Sequence, residues 1–292
     1  MADNKIIDGK LIAATIKKEI AAEVANMIDH GQDAPHLAAV IVGEDGASLT
    51  YVASKEKASQ SVGMISSVYR LKATATEKEV LDTINFLNND PEIDGYIVQL
   101  PLPDHINETK VIQSISHNKD VDGFTLYNIG LMQLGESCFL PATPFGILEL
   151  LKRSDVEISG KHVVVLGRSN IVGTPVSVML SRKGVDATVT MCHTKTKNIE
   201  DITRQADILI AAVGQPHFVK ADMVKEGAVV IDVGIHRIKD DSEKGYHIIG
   251  DVDFDEVYKK ASKITPVPGG VGPMTIVSLL YNTLQAAKKN RK

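Results

Sequence analysis

KHVVVLGRSNIVGTPVSVML, Lys161 to Leu180, reads as a strand, a loop bounded by Gly167 and Gly173, and a helix. A dinucleotide-binding fold needs a tight turn here, one that sets a helix N-terminus against a pyrophosphate. Gly167 and Gly173 hold the outer positions of G-x-G-x-x-G, and Ser169 replaces the middle glycine. The bare pattern also fits an ordinary strand-to-helix turn. The following segments favour the cofactor: strand Ala187–Cys192, helix Ile199–Ala206, then strands Ile208–Val213 and Val229–Val233. That alternation is a doubly wound unit. An NAD-preferring unit has an acid near the end of its second strand. This strand ends Met191-Cys192-His193-Thr194-Lys195-Thr196, without a carboxylate. Arg168, Thr194 and Lys195 can donate to a 2′-phosphate, so NADP is expected over NAD.

Upstream the same logic recurs. Leu37–Val42 is an expected strand, Ser48–Val62 a helix closed by Gly63, and Ile65–Leu71 a strand. Thr76 with Glu79 forms a capping box for the next helix. Tyr96–Leu100 is the third strand, and Asn107 opens a short helix. Strand–helix–strand order implies parallel sheets with right-handed crossovers. Thr143 is the expected N-cap of a helix running to Arg153, with Pro144 at its first position. The domain change is placed near Pro141–Pro144. The fold expected is α/β, with an N-terminal catalytic domain, residues 1–142, completed by the C-terminal helix 273–292. Residues 143–272 form a Rossmann-type cofactor domain, with the active-site cleft between the two.

The chain has 292 residues, 43% of them hydrophobic and 24% charged, which excludes disordered and low-complexity classes. A net charge of −5 offers no global field for nucleic acid. Two cysteines, Cys138 and Cys192, build neither a disulfide framework nor a zinc pattern, so no metal and a reducing, cytoplasmic location are expected. Residues 264–287 carry no charge, but Pro266, Pro268 and Pro273 interrupt them, and Thr275, Ser278, Asn282 and Gln285 form a polar stripe. That is a buried or half-buried helix of a soluble domain and not a membrane span.

Several residues carry chemistry. Tyr51 and Lys55 stand i, i+4 and project from one helix face with Ser48. An aromatic ring there can stack on a flat heterocycle while a buried lysine moves protons. Lys57 is the lysine assigned to solvent. Gln99-Leu100-Pro101-Leu102-Pro103 leaves Gln99 at a strand's C-terminal end, where α/β sheets present ligand groups. Asp120-Val121-Asp122-Gly123 is either an Asp-Gly turn or a carboxylate for an amino-heterocycle. The loop Thr265–Thr275 is stiff, and its glycines let a ligand approach backbone.

In that order these motifs closely resemble the bifunctional methylenetetrahydrofolate dehydrogenase/methenyltetrahydrofolate cyclohydrolase family over nearly the whole chain. The resemblance implies NADP-dependent oxidation of 5,10-methylenetetrahydrofolate, then hydrolysis of the methenyl product to 10-formyltetrahydrofolate. It implies Lys55 as acid/base, Tyr51 along the folate stack, Gln99 orienting Lys55 and Asp122 on the pterin amino edge. Ser48, Leu100, Pro268, Gly269 and Gly270 would complete the folate site. Gly167, Arg168, Ser169, Thr194 and Ile235 would contact NADP. A homodimer, through the cofactor domain, is likewise implied. Ala142 stands where many relatives have cysteine, and Thr194 where serine is common. The formate-ligating activity of larger fused relatives is not expected. Another NADP oxidoreductase acting on a small acid would share the Gly167 loop, yet would not account for Gln99–Pro103 or the Pro268 loop. A non-catalytic dinucleotide sensor would not need Tyr51, Lys55, Gln99 and Asp122 together.

Overall fold

The structure is a computed structural model that describes residues 5–242 and 245–291. Ala13, Ile16, Ile20, Val24 and Met27 are buried at helical spacing along α1 (Gly9–Asp29), and Asp8 caps it by accepting the Leu11 N–H. Next come β1 (His36–Val42), α2 (Gly46–Ser61), β2 (Ile65–Leu71), α3 (Glu77–Asn89), β3 (Gly95–Val98), α4 (Glu108–Gln113) and α5 (Leu126–Leu134). The three strands are parallel in the order β2-β1-β3. Every residue of β1 after His36 is buried, as its central place requires. The Thr76–Glu79 capping box is present at α3. α2 starts two residues before Ser48, because Asp45 caps it.

The remaining elements are α6 (Ala142–Arg153), β4 (His162–Leu166), α7 (Gly173–Ser181), β5 (Thr188–Cys192), α8 (Ile199–Thr203), β6 (Ile208–Ala211), β7 (Val229–Asp232), β8 (His236–Lys239), β9 (Tyr246–Ile249), α9 (Phe254–Lys260), β10 (Lys263–Ile264) and α10 (Val271–Asn290). Five strands form a parallel sheet ordered β10-β7-β6-β4-β5, while β8 and β9 make an antiparallel hairpin. Thr143 is not the N-cap of α6, which already includes Ala142; its hydroxyl meets that of Thr275 at 3.0 Å. α8 is shorter than the sequence pattern suggests and ends at Thr203.

Two units emerge. The chain up to Ala13 groups with Thr143–Thr275, and Ala14–Ala142 groups with Ile276 onward. The sequence assigns the first thirteen residues to the other domain. Backbone bonds explain the difference: Ile7 N–H donates to Ile264 O at 2.9 Å, and Lys10 N–H to Gly269 O at 3.1 Å. The polar stripe of α10 lies on a buried to half-buried helix, as the sequence suggests, with Thr275 and Gln285 half-buried. Ser278 and Asn282 are buried, and Asn282 donates to Val121 O at 2.8 Å and Leu140 O at 2.9 Å. Among the described residues no helix is long and apolar enough to cross a membrane.

Candidate active site

In the order β2-β1-β3 the chain leaves β1 toward one side and enters β3 on the other. Such a switch point opens a crevice at the strands' C-terminal ends, where ligands bind. α2 follows β1 there, and Gln99 follows β3. Asp45 caps α2 by accepting the Ser48 N–H at 2.8 Å, which fixes the helix phase. Ser48, Val52, Lys55 and Ser59 then occupy its buried face; Tyr51 is half-buried and Lys57 exposed.

Lys55 is only 7% exposed, unusual for a lysine. Its Nζ donates to Gln99 Oε1 at 3.2 Å and lies 4.4 Å from the centroid of the Tyr51 ring. The Gln99 amide is itself oriented, because Nε2 donates to Leu100 O at 2.7 Å. Burial pulls the Lys55 pKa below its ordinary value, against the opposing pull of the Asp122 carboxylate. An amine so placed gives up its proton more readily than a free lysine and can take it back.

Asp120 and Asp122 share one turn but differ in employment. Asp120 is buried and accepts from Phe124 N–H at 3.1 Å, Thr125 N–H at 2.8 Å and Asn128 Nδ2 at 2.8 Å. Gly123, at φ 72°, packs a position with no room for a Cβ against the backbone of Phe139–Pro141. Asp122 is half-buried, and its carboxylate accepts no hydrogen bond from another described residue. Burial raises its pKa, while Lys55 lowers it. A carboxylate held there without a donor suits an amidine-like edge that supplies N–H groups. The structure therefore separates the supporting aspartate from the available one, which the Asp-x-Asp-Gly pattern could not do.

The cofactor unit has its own switch point, between β4 and β6. Gly167 follows β4 at φ 108°, with the Ala212 carbonyl where a Cβ would stand. Gly173 abuts the Gly167 carbonyl in the same way. Ser169 has a role a glycine would lack: its Oγ accepts the Val172 N–H at 3.2 Å. Arg168, Ser169, Thr194 and Lys195 are exposed around this turn, and no carboxylate lies in 167–173 or 193–198. The Arg168 guanidinium bonds to no other described residue. This donor-rich set fits an anionic dinucleotide with an added phosphate.

In the same unit Ile235, 62% exposed, lines a cavity of about 170 Å³ with Ile248, Val267, Pro268, Gly269 and Gly270. The loop is anchored where Thr265 Oγ1 accepts the Asp232 N–H at 2.7 Å. A larger cavity, about 390 Å³, sits at the opposite end of the sheet, where ion pairs such as Lys161–Glu157 and Lys225–Asp207 neutralise its lining. Lys55, Gln99 and Asp122 thus gather in one unit, and Gly167, Arg168, Ser169, Thr194, Ile235 and Pro268–Gly270 belong to the other.

Comparison with known proteins agrees with this division. Residues 7–122 match the model of the tetrahydrofolate dehydrogenase/cyclohydrolase catalytic domain, and residues 141–291 that of its NAD(P)-binding domain. The bifunctional protein FolD of Bacteroides fragilis is 58% identical over 287 residues, covering 97% of this chain and 98% of that protein. The crystal structure of the bifunctional FolD methylenetetrahydrofolate dehydrogenase/cyclohydrolase from Campylobacter jejuni is 48% identical, with TM-score 0.92 over 97% of this chain and 98% of that one. The Trypanosoma brucei dehydrogenase-cyclohydrolase, complexed with NADP cofactor and inhibitor, is 40% identical, with TM-score 0.93 over 98% of both chains. With two domain models matched along its length and more than half its residues shared with a relative of equal extent, the chain belongs to the tetrahydrofolate dehydrogenase/cyclohydrolase family.

Proposed function

We propose that this chain oxidises 5,10-methylenetetrahydrofolate with NADP to the 5,10-methenyl form and hydrolyses that product to 10-formyltetrahydrofolate. The observation that carries this is the buried Lys55 amine, bonded to Gln99 and facing Asp122 at the sheet's C-terminal edge. NADP, when bound, supplies the hydride acceptor. Arg168, Ser169 and Thr194 hold its phosphates around the Gly167 turn, and Ile235 packs against its second half.

Asp122 accepts the N–H groups of the pterin edge, and Tyr51 stacks on the ring beside Ser48 and Leu100. Pro268, Gly269 and Gly270 form the folate-facing wall of the loop. The methenyl carbon is already cationic, so hydrolysis needs a positioned water and a moved proton. Lys55 takes the proton from the attacking water and returns one to the departing ring nitrogen. Gln99 Oε1 aims the amine during both transfers. A cationic substrate beside Lys55 further disfavours its protonated form, which suits the base step.

A homodimer in the cytoplasm completes the proposal. The open edge of β5 supports self-association through the cofactor unit, and the two cysteines, which form no disulfide, fit a reducing compartment. The test is one assay of 5,10-methylenetetrahydrofolate with NADP and with NAD, following NADPH, methenyl and formyl products. Absence of both NADPH and formyl product would refute the reading. Light scattering on the purified chain tests the dimer.

A further inference from the structure

Two carboxylates lie buried side by side at the C-terminal edge of the five-stranded sheet. Asp232 ends β7 and Asp251 follows β9; they are 3% and 0% exposed. Asp232 Oδ1 accepts the N–H of Gly234 and of Asp251, each at 2.9 Å, and its Oδ2 accepts Val252 N–H at 3.0 Å. Asp251 Oδ2 accepts Val213 N–H at 2.7 Å and Gly214 N–H at 2.9 Å, while its Oδ1 faces His236 Nε2 at 2.8 Å. Gly234 and Gly250 give these carboxylates their space, since a Cβ on either would collide with one of them.

The arrangement is expensive. Burial and the neighbouring Asp251 charge raise the Asp232 pKa to about 6, even though three backbone N–H groups pull it down. Well-packed apolar side chains would fill this volume at lower cost. What they would not supply is acceptors at chosen points. The acceptors here pin three things: the turn leaving β6, the turn leaving β7, and the start of β8. Both turns adjoin residues assigned above to NADP, Gly167 and Ile235. The carbonyl of Ala212, next to Val213, closes on Gly167, and Gly234 leads directly to Ile235.

We propose that Asp251, supported by Asp232 and His236, is a positioning residue for the cofactor. It fixes the Val213–Gly214 turn and the Ile235 turn against which the dinucleotide's second half packs. This rests on the NADP assignment made under the proposed function.

Calorimetric titration of NADP into the wild-type chain, Asp251→Asn, Asp251→Ala and His236→Ala tests it, with the unfolding midpoint of each protein recorded without cofactor. Asp251→Ala strands two backbone donors and is expected to weaken NADP binding about tenfold; His236→Ala, which leaves Asp251 Oδ1 without its partner, about threefold. Asp251→Asn keeps an oxygen for both amides and turns its NH₂ toward His236, whose other tautomer accepts, so affinity should stay within about twofold. Wild-type protein that fails to bind NADP would overturn the cofactor assignment itself. Wild-type binding with unchanged affinity in Asp251→Ala and His236→Ala overturns only the positioning role, as does an Asp251→Asn loss as large as that of alanine. If Asp251→Ala does not fold, His236→Ala decides: the threefold weakening supports the role and an unchanged constant refutes it.

Discussion

Lys55 Nζ donates to Gln99 Oε1 at 3.2 Å, and that bond joins the middle of α2 to the first residue beyond β3. The two lie 44 residues apart in sequence. They meet because α2 and Gln99 leave adjacent parallel strands at the same edge, on either side of the switch point.

Replacing Lys55 by Met keeps a long side chain on the buried face of α2 but removes the titrating group. Formation of 10-formyl product should fall by about three orders of magnitude, within the range attributed to a positioned acid/base. NADP binding, measured directly by titration, should be unchanged. Substantial formyl production by the folded variant would remove Lys55 from the proton-transfer role.

The pH dependence follows from the sign of the shift. Burial lowers the Lys55 pKa from 10.5, so the neutral amine forms at lower pH than in a free lysine. The hydrolysis rate, corrected for the uncatalysed reaction, should rise with pH through that lowered pKa and level off below 10.5. The Asp122 carboxylate favours the charged amine, so Asp122→Asn should shift the midpoint to lower pH. A shift to higher pH would contradict this coupling. Stability has a linked sign. The folded state binds the Lys55 proton more weakly than the unfolded chain, so this group's contribution improves as pH rises from the lowered pKa toward 10.5.

Arg168 is exposed, so its value lies in the ligand it meets rather than in the fold. Arg168→Ala should raise the KM for NADP about tenfold, the scale of one charge-assisted phosphate contact partly screened by water. The KM for NAD should hardly change. An equal effect on both cofactors would place the 2′-phosphate elsewhere.

Much of this site is readable from local chemistry. The Gly167 turn is legible because a positive-φ residue and a helix abutting it demand glycine at fixed spacing. Lys55 and Tyr51 are legible as an i, i+4 pair on a helix, and Lys57 as the lysine that faces water; the Gln99 partner that holds Lys55 inward is not visible in the spacing. α1 shows a different limit. Its stripe at 13, 16, 20, 24 and 27 has clear helical spacing, yet the strand-first pattern from Leu37 onward leaves it out. Asp251 has no local signature at all. Its partners Val213, Gly214 and His236 stand 38, 37 and 15 residues away, and only the sheet order brings them to it.

Asn282 shows how a helix remote in sequence sets the turn that carries Asp122. Its Nδ2 donates to Val121 O and Leu140 O, which ties the Asp120–Gly123 turn to the segment before α6. Asn282→Leu preserves bulk and strands two buried carbonyls. The cost should be about 2–4 kcal/mol, since each unpaired group forfeits its desolvation. For a domain of this size that is a fall in melting temperature of roughly 5–15 °C. Because Asp122 sits between Val121 and Gly123, the KM for folate should rise while the KM for NADP stays put. Melting measurements without ligand, paired with the two Michaelis constants, separate the effects. A destabilised variant with both constants unchanged would mean the turn keeps its shape without Asn282, and that Asp120 with its three donors suffices to aim Asp122.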